Sequence, residues 1–533
     1  MKSEILEQLT SIAENDLKEG IERKFEKDPM RAITYSFDFS DIYFDFSKTH
    51  ISKSLMDCYM EYAEGADLKG MRRKLFAGDK INVTENRAVL HTLLRDHDNQ
   101  GMVTKEPNFL AQAKASEEDF FSKYEEIIRS LEQREVSIKD IIHVGIGGSS
   151  LGTQLVFEAL AGLDCGVNVH FISNIDAHKL TSVFNECDAN STLLIGVSKT
   201  FTTAETLQNI NTIAKWYESN GIDSWSEQFY AVTANTKNAI EFGVNKKNIV
   251  GFPVWVGGRY SVWSAVSLSA TIAIGLDKFK AFLQGAAEMD KHFYTSDLDQ
   301  NLCFISAALD HYYANFLGVK SRAIFPYDHR LRSLVYYLQQ LETESNGKDR
   351  QRDGSEVDQL TSVVVWGGIG TDVQHSVFQM MHQGTSMIPA EFILVKQADH
   401  SHDEHHKELL ANGLAQTAAL LSGQNLETVC QLNKDKEFSE LALKAKVFSG
   451  QRPSTTMLLK QLTPKVLGSL LAFYEHRTFC LGVLLNINSY DQMGVELGKR
   501  LAQQISPFLT SGKGAVSSNL DQSTLALIKR VTN

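Results

Sequence analysis

The chain has 533 residues, a length that allows two or three domains with sizeable hydrophobic cores. Hydrophobic residues make up 43% of it and only 8 residues are proline, a composition typical of a folded chain and unlike that of a disordered one. The formal net charge of −12 disfavours broad binding to nucleic acid or to anionic membranes, so a phosphorylated ligand requires a locally positive pocket.

The chain shows no sign of membrane insertion or export. It has no run of about 18 apolar residues, so we expect no transmembrane helix. The amino-terminal segment is amphipathic and acidic, unlike a signal peptide or an Arg-rich transit peptide. The six cysteines are scattered without a CxxC pair, which predicts free, mostly buried thiols and a cytoplasmic location.

The first part of the chain contains a helical region followed by a series of strands. Residues 1 to about 100 are predicted to be largely helical, with one β-like stretch at 35–46. Strands and helices then alternate. We predict strands at 141–144, 169–172, 193–197 and 228–233, and a helix at 151–163. Such alternation implies a parallel sheet that is wound on both faces.

A second series of strands begins near residue 320. We predict strands at 322–325, 362–366 and 392–395, and a helix with Leu334, Val335, Leu338 and Leu341 on one face. The two series indicate two related α/β domains. From about residue 425 we expect helices again, followed by a polar tail at 511–533.

The turn at 198–203 carries the clearest ligand signal. An apolar strand runs into a polar turn and a helical pattern follows at once; the polar residues are Ser198, Lys199, Thr200, Thr202 and Thr203. The unpaired N–H groups and the dipole at a helix start favour an anion, and Lys199 adds positive charge. Because an ordinary N-cap needs one hydroxyl, five polar residues favour a phosphate ester over a simple capped turn.

A glycine turn, Gly145-Ile-Gly-Gly-Ser-Ser150, follows the first strand of this series. Ser150 stands where the dinucleotide fingerprint requires its third glycine, and no GxxxxGK[ST] P-loop is present. These departures disfavour a nicotinamide-dependent oxidoreductase. In a doubly wound sheet, ligands bind beyond the carboxyl ends of the strands, so this turn is either part of a site or a packing turn.

Gln340 and Glu344 lie four residues apart, which places both on one face of the predicted helix. Glu344 falls in the last turn before Asn346-Gly347, where a carboxylate opposes the helix dipole. That local conflict points to a function for Glu344. The alternative is an ordinary solvated surface glutamate.

Basic residues supply further candidates. The glycine turn at 257–258 presents Arg259, which suits either the stabilisation of an oxyanion or a structural ion pair. His382 stands at a predicted helix end, where it is either functional or a simple helix cap. Gln492 and Lys499 are predicted to share a helical face, with a surface lysine as the alternative.

The histidine-rich stretch 400–406 is also a candidate site, in this case for a metal. Its spacing matches no standard zinc pattern. Short histidine tracts specify a metal site poorly, so we expect a solvated loop that enters a helix.

Seven blocks, in order along the chain, carry a family resemblance. They are INVTENRAVLH (81–91), VGIGGSSLG (144–152), SKTFTTAET (198–206), GGRYSVWSA (257–265), ESNGK (344–348), HQGTSMIP (382–389) and NSYDQMGVELGK (488–499). On these blocks the chain resembles the glucose-6-phosphate isomerase (phosphoglucose isomerase) family along most of its length. The resemblance implies two sugar-isomerase (SIS) domains with flavodoxin-like, doubly wound parallel sheets, wrapped by additional helices.

The expected domain organisation follows from the two α/β series and the resemblance. We expect a mainly helical segment at 1–110, a phosphate-binding SIS domain at 111–290, a second SIS domain with a helical extension at 291–510, and the tail at 511–533. The resemblance also implies a homodimer. The expected partner molecules are a hexose 6-phosphate substrate and a second subunit, without nucleic acid or membrane.

The resemblance implies interconversion of D-glucose 6-phosphate and D-fructose 6-phosphate, a step of glycolysis and gluconeogenesis, without metal or cofactor. The substrate-binding residues carried over by motif are Gly148, Ser149, Ser198, Lys199, Thr200, Thr203, Gln340 and Gln492. His382, with help from Lys499, would open the sugar ring, and His382 would come from the neighbouring subunit. Glu344 would move a proton between C2 and C1 through a cis-enediol. Arg259 would stabilise the enediolate.

The chain departs from the family pattern at three places. The family commonly has GGSDLGP where this chain has GGSSLGT (147–153), WGEPGTNGQHS at 366–376, and Met where Thr343 stands. None of these departures removes a proposed catalytic group.

Two alternatives use the same domains. A non-catalytic sugar-phosphate sensor could lose Glu344, Arg259 or His382, and all three are present. An isomerase of a related hexose phosphate is disfavoured by the ESNGK and GVELGK blocks.

Overall fold

The computed structural model describes residues 2–95, 107–162, 165–435, 437–511 and 520–532, and both its strands and its helices extend across most of this length. The strands are β1 (Ser36–Phe39), β2 (Ile42–Asp45), β3 (Asp140–Val144), β4 (Asn168–Ile172), β5 (Thr192–Val197), β6 (Phe229–Thr233), β7 (Ile249–Gly251), β8 (Ser321–Tyr327), β9 (Val364–Gly367), β10 (Ala390–Val395) and β11 (Ser454–Leu459). The helices up to β8 are α1 (Lys2–Glu19), α2 (Ile21–Lys27), α3 (Arg31–Thr34), α4 (Lys53–Gly65), α5 (Leu68–Ala77), α6 (Pro107–Glu132), α7 (Leu151–Leu160), α8 (Ala177–Glu186), α9 (Ala204–Ser219), α10 (Thr236–Phe242), α11 (Leu268–Ile274), α12 (Leu276–Thr295) and α13 (Leu302–Asn315). The later helices are α14 (Leu334–Gln339), α15 (Phe378–Gln383), α16 (Asp403–Ser422), α17 (Leu426–Leu432), α18 (Glu440–Lys444), α19 (Pro464–Leu484), α20 (Glu496–Ser511) and α21 (Gln522–Thr532).

The first sheet is parallel throughout and has the order β4-β3-β5-β6-β7. Numbered within the sheet, this is the order 2-1-3-4-5 of flavodoxin-like folds. Strands β3 and β5 are buried along their whole length, as expected when helices cover both faces. In such a sheet ligands bind where the winding direction changes, here beyond the carboxyl ends of β3 and β5.

The second sheet has the order β1-β2-β11-β10-β8-β9. Strands β8 to β11 are parallel and repeat the order 2-1-3-4 of the first sheet. Strands β1 and β2 form an antiparallel hairpin that pairs with β11, so the β-like stretch predicted at 35–46 becomes the edge of this sheet. The α/β fold class with two doubly wound modules is confirmed, and the hairpin makes the second sheet a mixed one.

Two strands are absent from the sequence analysis. Strand β7 is only three residues long. Strand β11 lies where we expect helix from about residue 425, and that expectation is wrong for Ser454–Leu459. Because β11 pairs with β10 on one side and with β2 on the other, long-range pairing decides its conformation rather than its local pattern.

Helix ends also differ from the sequence analysis. Helix α7 ends at Leu160, and Leu163, its predicted last residue, lies outside the described residues. The polar tail at 511–533 contains the helix α21, in which Leu525 and Ile528 stand three residues apart as on one helical face.

The chain consists of two compact units, Met1–Ser489 and Tyr490–Asn533. The first unit contains both sheets, and the second contains α20 and α21, which pack against each other. The domain borders predicted near residues 110, 290 and 510 stay predictions. Among the helices described, none combines the length and hydropathy that a membrane span requires.

All six cysteines are free. Only Cys303 and Cys480 are buried, so the prediction of mostly buried thiols is wrong. Of the other four, Cys430 is exposed and three are half-buried: Cys58, Cys165 and Cys187.

Candidate active site

The polar turn between β5 and α9 folds back on itself. Ser198 Oγ lies 3.2 Å from Thr203 Oγ1 and accepts a hydrogen bond from the Phe201 N–H at 3.1 Å. Phe201 has a left-handed backbone, with φ 53°, and its ring is buried in the core of the first sheet. Helix α9, all of which is described, begins after Thr203 without a side-chain cap. This turn therefore brings together the first N–H groups of α9 and the hydroxyls of Ser198 and Thr203.

Lys199 is the cation of this turn. Its Nζ donates a hydrogen bond to the Val256 carbonyl at 2.7 Å. Burial, followed by the charge of Arg87, lowers the pKa of Lys199 to about 8. Arg87 is missing from the predicted site residues, although it stands within the block 81–91. Because the chain as a whole has a net charge of −12, a site for an anion needs positive charge close by. Lys199 and Arg87 supply positive charge at this turn.

The glycine turn after β3 contacts two other segments of the site. Gly147 has φ 58°, and a Cβ added there would lie 2.9 Å from Gln340 Nε2. A Cβ at Gly148 would lie 2.6 Å from the backbone nitrogen of Arg259 and 2.2 Å from the preceding carbonyl carbon. The glycines thus let the turn pack directly against the Arg259 loop and beside the helix of Gln340.

His143 of β3 fixes the end of this turn. Its Nε2 lies 2.7 Å from the carbonyl oxygen of Ser149, and its Nδ1 lies 2.7 Å from Ser269 Oγ. Because a carbonyl only accepts hydrogen bonds, Nε2 carries the proton and donates it to Ser149. Burial lowers the pKa of His143 to about 4, so the ring is neutral and keeps this tautomer near neutral pH.

Glu344 lies at the end of a π-helical turn. Helix α14 continues directly into this turn, Gln340–Glu344. The shared face predicted for the two residues is confirmed, because Gln340 Nε2 donates a hydrogen bond to Glu344 Oε2 at 3.0 Å. The last turn is π-helical where the sequence predicts an α-helix. Such turns are frequent at functional sites, because the extra residue redirects a side chain.

Arg259 pairs with Glu344. Its Nη1 lies 3.4 Å from Glu344 Oε2. Two further bonds orient the guanidinium: Nε donates to Ser345 Oγ at 2.7 Å and Nη2 donates to the Ser489 carbonyl at 2.7 Å. The Arg259 side chain is 2% exposed and that of Glu344 is 21% exposed, so the carboxylate is accessible while the cation beside it is buried. An oriented cation beside a carboxylate base suits proton abstraction next to a carbonyl.

Buried ion pairs hold the π-helical turn from behind. Arg322 of β8 donates to both oxygens of Glu342, at 2.7 and 2.6 Å. Arg477 of α19 donates to Asp310 at 2.8 Å and to Glu391 at 2.6 Å. Burial raises the pKa of Glu342 and of Glu391, while the charge of Arg322 opposes that rise. This network ties the turn that ends at Glu344 to the second sheet and to α19.

His382 ends α15, as predicted, with Gly384 next to that helix. Its Nε2 lies 3.0 Å from Gln416 Oε1 of α16, and its ring centroid lies 5.6 Å from that of Phe448. Among the contacts of the described residues, His382 contacts this side of the second sheet rather than Glu344. No hydrogen bond or ring contact within the described part of the chain joins His382 to Glu344.

Gln492 and Lys499 belong to the second unit, Tyr490–Asn533. Gln492 precedes a 3-10 turn, Met493–Val495, and α20 begins only at Glu496. The prediction of one helical face for Gln492 and Lys499 is therefore wrong; the glycine in the middle of the 3-10 turn weakens an α-helix there. Lys499 Nζ donates to Glu496 Oε1 at 3.2 Å on an exposed surface.

The imidazole rings of the histidine tract lie next to one another. Their centroids lie 5.8 Å apart for His400 and His402 and 5.9 Å apart for His402 and His405. The tract leads into α16, as expected for a loop that enters a helix. In the described ranges, the group whose ligand atoms do converge is elsewhere, at Asp140, His170 and Cys187.

Comparison with known proteins decides the family. The family model described as phosphoglucose isomerase matches residues 45–528. The chain belongs to the phosphoglucose isomerase family. Two similar curated relatives are named glucose-6-phosphate isomerase. The one from Rhizorhabdus wittichii is 42% identical over 95% of each chain, and the one from Zymomonas mobilis is 40% identical over 98% of this chain and 96% of its own.

A solved structure supports the same assignment. The crystal structure of a glucose-6-phosphate isomerase from Chlamydia trachomatis is 29% identical and covers 99% of each chain with a TM-score of 0.85. The match extends over both sheets and the surrounding helices, so the phosphoglucose isomerase fold accounts for almost the whole chain.

Sequence reasoning about this phosphoglucose isomerase family member missed Arg87 and two further supporting residues. His143 is the one polar residue of the predicted strand 141–144, and that contrast was the available signal. Ser345 lies inside the ESNGK block, directly after the candidate base, but its bond to Arg259 depends on a segment 86 residues away.

Proposed function

We propose that this protein interconverts D-glucose 6-phosphate and D-fructose 6-phosphate. The relatives named above are glucose-6-phosphate isomerases over nearly their full length. The single observation that best supports the same reaction here is the Arg259–Glu344 pair, which lies against the glycine turn of the first sheet. A carboxylate base and an adjacent buried cation are the two groups that an enediolate mechanism requires.

The phosphate is proposed to bind at the turn after β5. Ser198, Lys199, Thr200 and Thr203 would hold it by hydroxyl, ammonium and backbone N–H groups. The phosphate takes no part in the bond changes. Its binding energy would orient C1 and C2 of the sugar chain toward Glu344, and Gly148 and Ser149 are proposed to line the sugar.

The proton transfer is proposed to run through Glu344. In the open-chain aldose, Glu344 removes the proton from C2, the C1 carbonyl oxygen becomes the enediolate oxygen, and Arg259 stabilises its charge. The same carboxyl then returns the proton to C1. The C2 hydroxyl loses its proton to solvent as the ketone carbonyl forms, and the C1 oxygen takes up a proton from solvent and becomes the C1 hydroxyl. Gln340, bonded to Glu344 at 3.0 Å, is proposed to contact the substrate and to orient the carboxylate.

Ring opening needs an acid–base group in addition to Glu344. We propose that His382 of a second subunit supplies it, assisted by Lys499, with Gln492 contacting substrate. In a two-fold dimer each site would then combine Glu344 of one chain with His382 of the other. The six free cysteines favour a reducing, cytoplasmic location for this dimer.

The Glu344→Gln variant tests the base. Loss of one acid–base group is expected to lower kcat by about 10²–10⁴-fold, while binding of hexose phosphate and ring opening continue. A coupled assay measures isomerisation, and the rate of anomer interconversion of the sugar phosphate, followed by NMR, measures ring opening. Glu288→Gln, in a surface ion pair with Lys465, is the matched control. An active Glu344→Gln enzyme would show that another residue is the base.

Subunit mixing tests the shared site. Glu344→Gln and His382→Asn subunits are each expected to be inactive alone. In a mixed dimer, one of the two sites would regain both wild-type residues, so random reassociation restores about a quarter of wild-type activity. If both residues of a site came from one chain, mixing would restore none.

A further inference from the structure

Three side chains with metal-binding atoms meet at the amino end of the first sheet. Asp140 is the first residue of β3, His170 lies in β4, and Cys187 directly follows α8. One ligand atom from each residue lies within 4.8 Å of the other two. The three come from separate chain segments and match no linear metal motif, so the sequence gives no sign of this cluster.

The sheet register explains why they meet. Asp140 is paired with Asn168, and His170 follows Asn168 by two residues, so Asp140 and His170 point to the same face. Helix α8 covers that face with Leu180 and packs onto the core of the sheet. Cys187, which directly follows α8, therefore lies beside β3 and β4.

The ring of His170 is held between two carboxylates. Its Nε2 lies 2.9 Å from Asp140 Oδ1, and its Nδ1 lies 3.8 Å from Glu186 Oε2. A histidine that binds a metal through one nitrogen commonly has its second nitrogen bonded to a carboxylate, which fixes the ring. Glu186 lies on the side of that second nitrogen, at 3.8 Å, which is longer than a hydrogen bond.

The cluster is accessible but partly desolvated. Asp140 is 7% exposed, and His170 and Cys187 are half-buried. The Asp140 carboxylate lies 2.9 Å from His170 and supplies negative charge beside the thiol of Cys187, which favours a cation at this position.

We propose that Asp140, His170 and Cys187 bind one Zn²⁺ ion, with Glu186 orienting the imidazole. Carboxylate oxygen, imidazole nitrogen and thiolate sulfur are all zinc ligands, and water completes a tetrahedron. As the zinc–sulfur bond forms, the S–H bond breaks and its proton passes to solvent. The imidazole proton moves from Nε2, where it is donated to Asp140, to Nδ1 on the side of Glu186, and Nε2 and the Asp140 carboxylate then each form a bond to the metal.

Such an ion would act on stability rather than on the isomerisation. The cluster lies at the amino ends of the strands, and the proposed substrate site lies beyond their carboxyl ends. A strand of five residues rises about 3.3 Å per residue, which separates the two places by roughly 15 Å. The ion would join β3, β4 and the end of α8, and binding to the folded state alone raises its stability.

Metal titration of the full chain tests the proposal. Zn²⁺ is measured by competition with a chromogenic chelator, and Co²⁺ is used as a spectroscopic probe because a thiolate ligand gives it a charge-transfer band in the near ultraviolet. We expect one tight site per chain, the charge-transfer band, and a rise in Tm with Zn²⁺. Cys187→Ser and His170→Gln should abolish all three. Glu186→Gln should weaken zinc binding by about 10–100-fold, as for other residues that orient a ligand.

Two variants serve as controls. Cys430→Ser removes an exposed cysteine, and His402→Gln removes a member of the histidine tract; both should bind zinc as the wild type does. The proposal is overturned if the wild type binds no zinc, if Cys187→Ser and His170→Gln bind it unchanged, or if His402→Gln is the variant that loses it. Isomerase activity of Cys187→Ser should match the wild type, which shows that the variant is folded.

Discussion

The Arg259 guanidinium lies 3.4 Å from the Glu344 carboxylate, although 84 residues separate the two in the chain. Ser345, the residue next to Glu344, accepts a hydrogen bond from Arg259 Nε. The Ser489 carbonyl accepts another from Nη2. The helical segment that carries Glu344 therefore also orients Arg259, which fixes the position of the cation relative to the candidate base.

Arg259→Lys should lower kcat strongly and change KM little. A lysine has one ammonium group and lacks the planar fork, so it cannot reach Ser345, Ser489 and Glu344 together. We expect a fall in kcat of about 10²–10³-fold, the size seen when one oxyanion donor is lost. Steady-state kinetics in both directions measure it. Arg350→Lys, in an exposed ion pair with Glu356, is the control. Wild-type kcat in Arg259→Lys would contradict the assigned role.

Gly148→Ala should disturb the site without unfolding the protein. The new Cβ would lie 2.6 Å from the backbone nitrogen of Arg259, and backbone cannot move aside cheaply. A displacement of the arginine by about 1 Å is expected to lower kcat about 10²-fold. Gly65→Ala, where no atom lies within 4 Å of the added Cβ, should keep full activity. Equal activity of the two variants would show that the glycine turn tolerates a shift.

Thr203→Ala should weaken substrate binding but leave stability nearly unchanged. Thr203 precedes α9 without capping it, so its hydroxyl is available to a ligand. We expect a higher KM and weaker inhibition by inorganic phosphate, with a change of under about 0.5 kcal/mol in the free energy of unfolding. Ser52→Ala removes a true cap, whose Oγ accepts from the Leu55 N–H at 3.2 Å. That control should lose about 1 kcal/mol of stability and keep its KM. The opposite pattern would place the phosphate elsewhere.

Lys199 should give the enzyme a pH dependence on its alkaline side. Its pKa is lowered to about 8, first by burial and then by Arg87, so the free enzyme loses this charge above about pH 8. Since kcat/KM reports the free enzyme, it should fall as the pH rises through that value. Lys199→Arg keeps a positive charge at this position above pH 8, so the alkaline fall in kcat/KM should be absent from this variant. If kcat/KM falls with pH in the same way in the wild type and in Lys199→Arg, another group causes the alkaline fall.

The same lowered pKa predicts the sign of a stability change. Above about pH 8 the folded chain holds fewer protons at Lys199 than the unfolded chain, until the ordinary lysine pKa is reached. The contribution of Lys199 to the free energy of unfolding should therefore rise with pH between about pH 8 and the ordinary lysine pKa. Denaturant unfolding of the wild type and of Lys199→Met at several pH values measures the difference, and Lys199→Met should lack this contribution.

The sequence by itself determined the fold class and the family. Runs such as 193–197 are apolar because both faces of a parallel strand are covered, and the polar turn that follows marks a helix start. The pairing of Gln340 with Glu344 was also readable, because helical spacing alone puts them on one face. These features depend on neighbours within a few residues.

The tertiary structure decided what depends on distant segments. Strand β11 is a strand because β2 and β10 pair with it, and Arg259 faces Glu344 because the glycine at position 148 lets two loops touch. The Asp140–His170–Cys187 cluster exists only through sheet register and the packing of α8. Local sequence encodes propensity and spacing, whereas these contacts arise from burial and pairing across dozens to hundreds of residues, which no local pattern records.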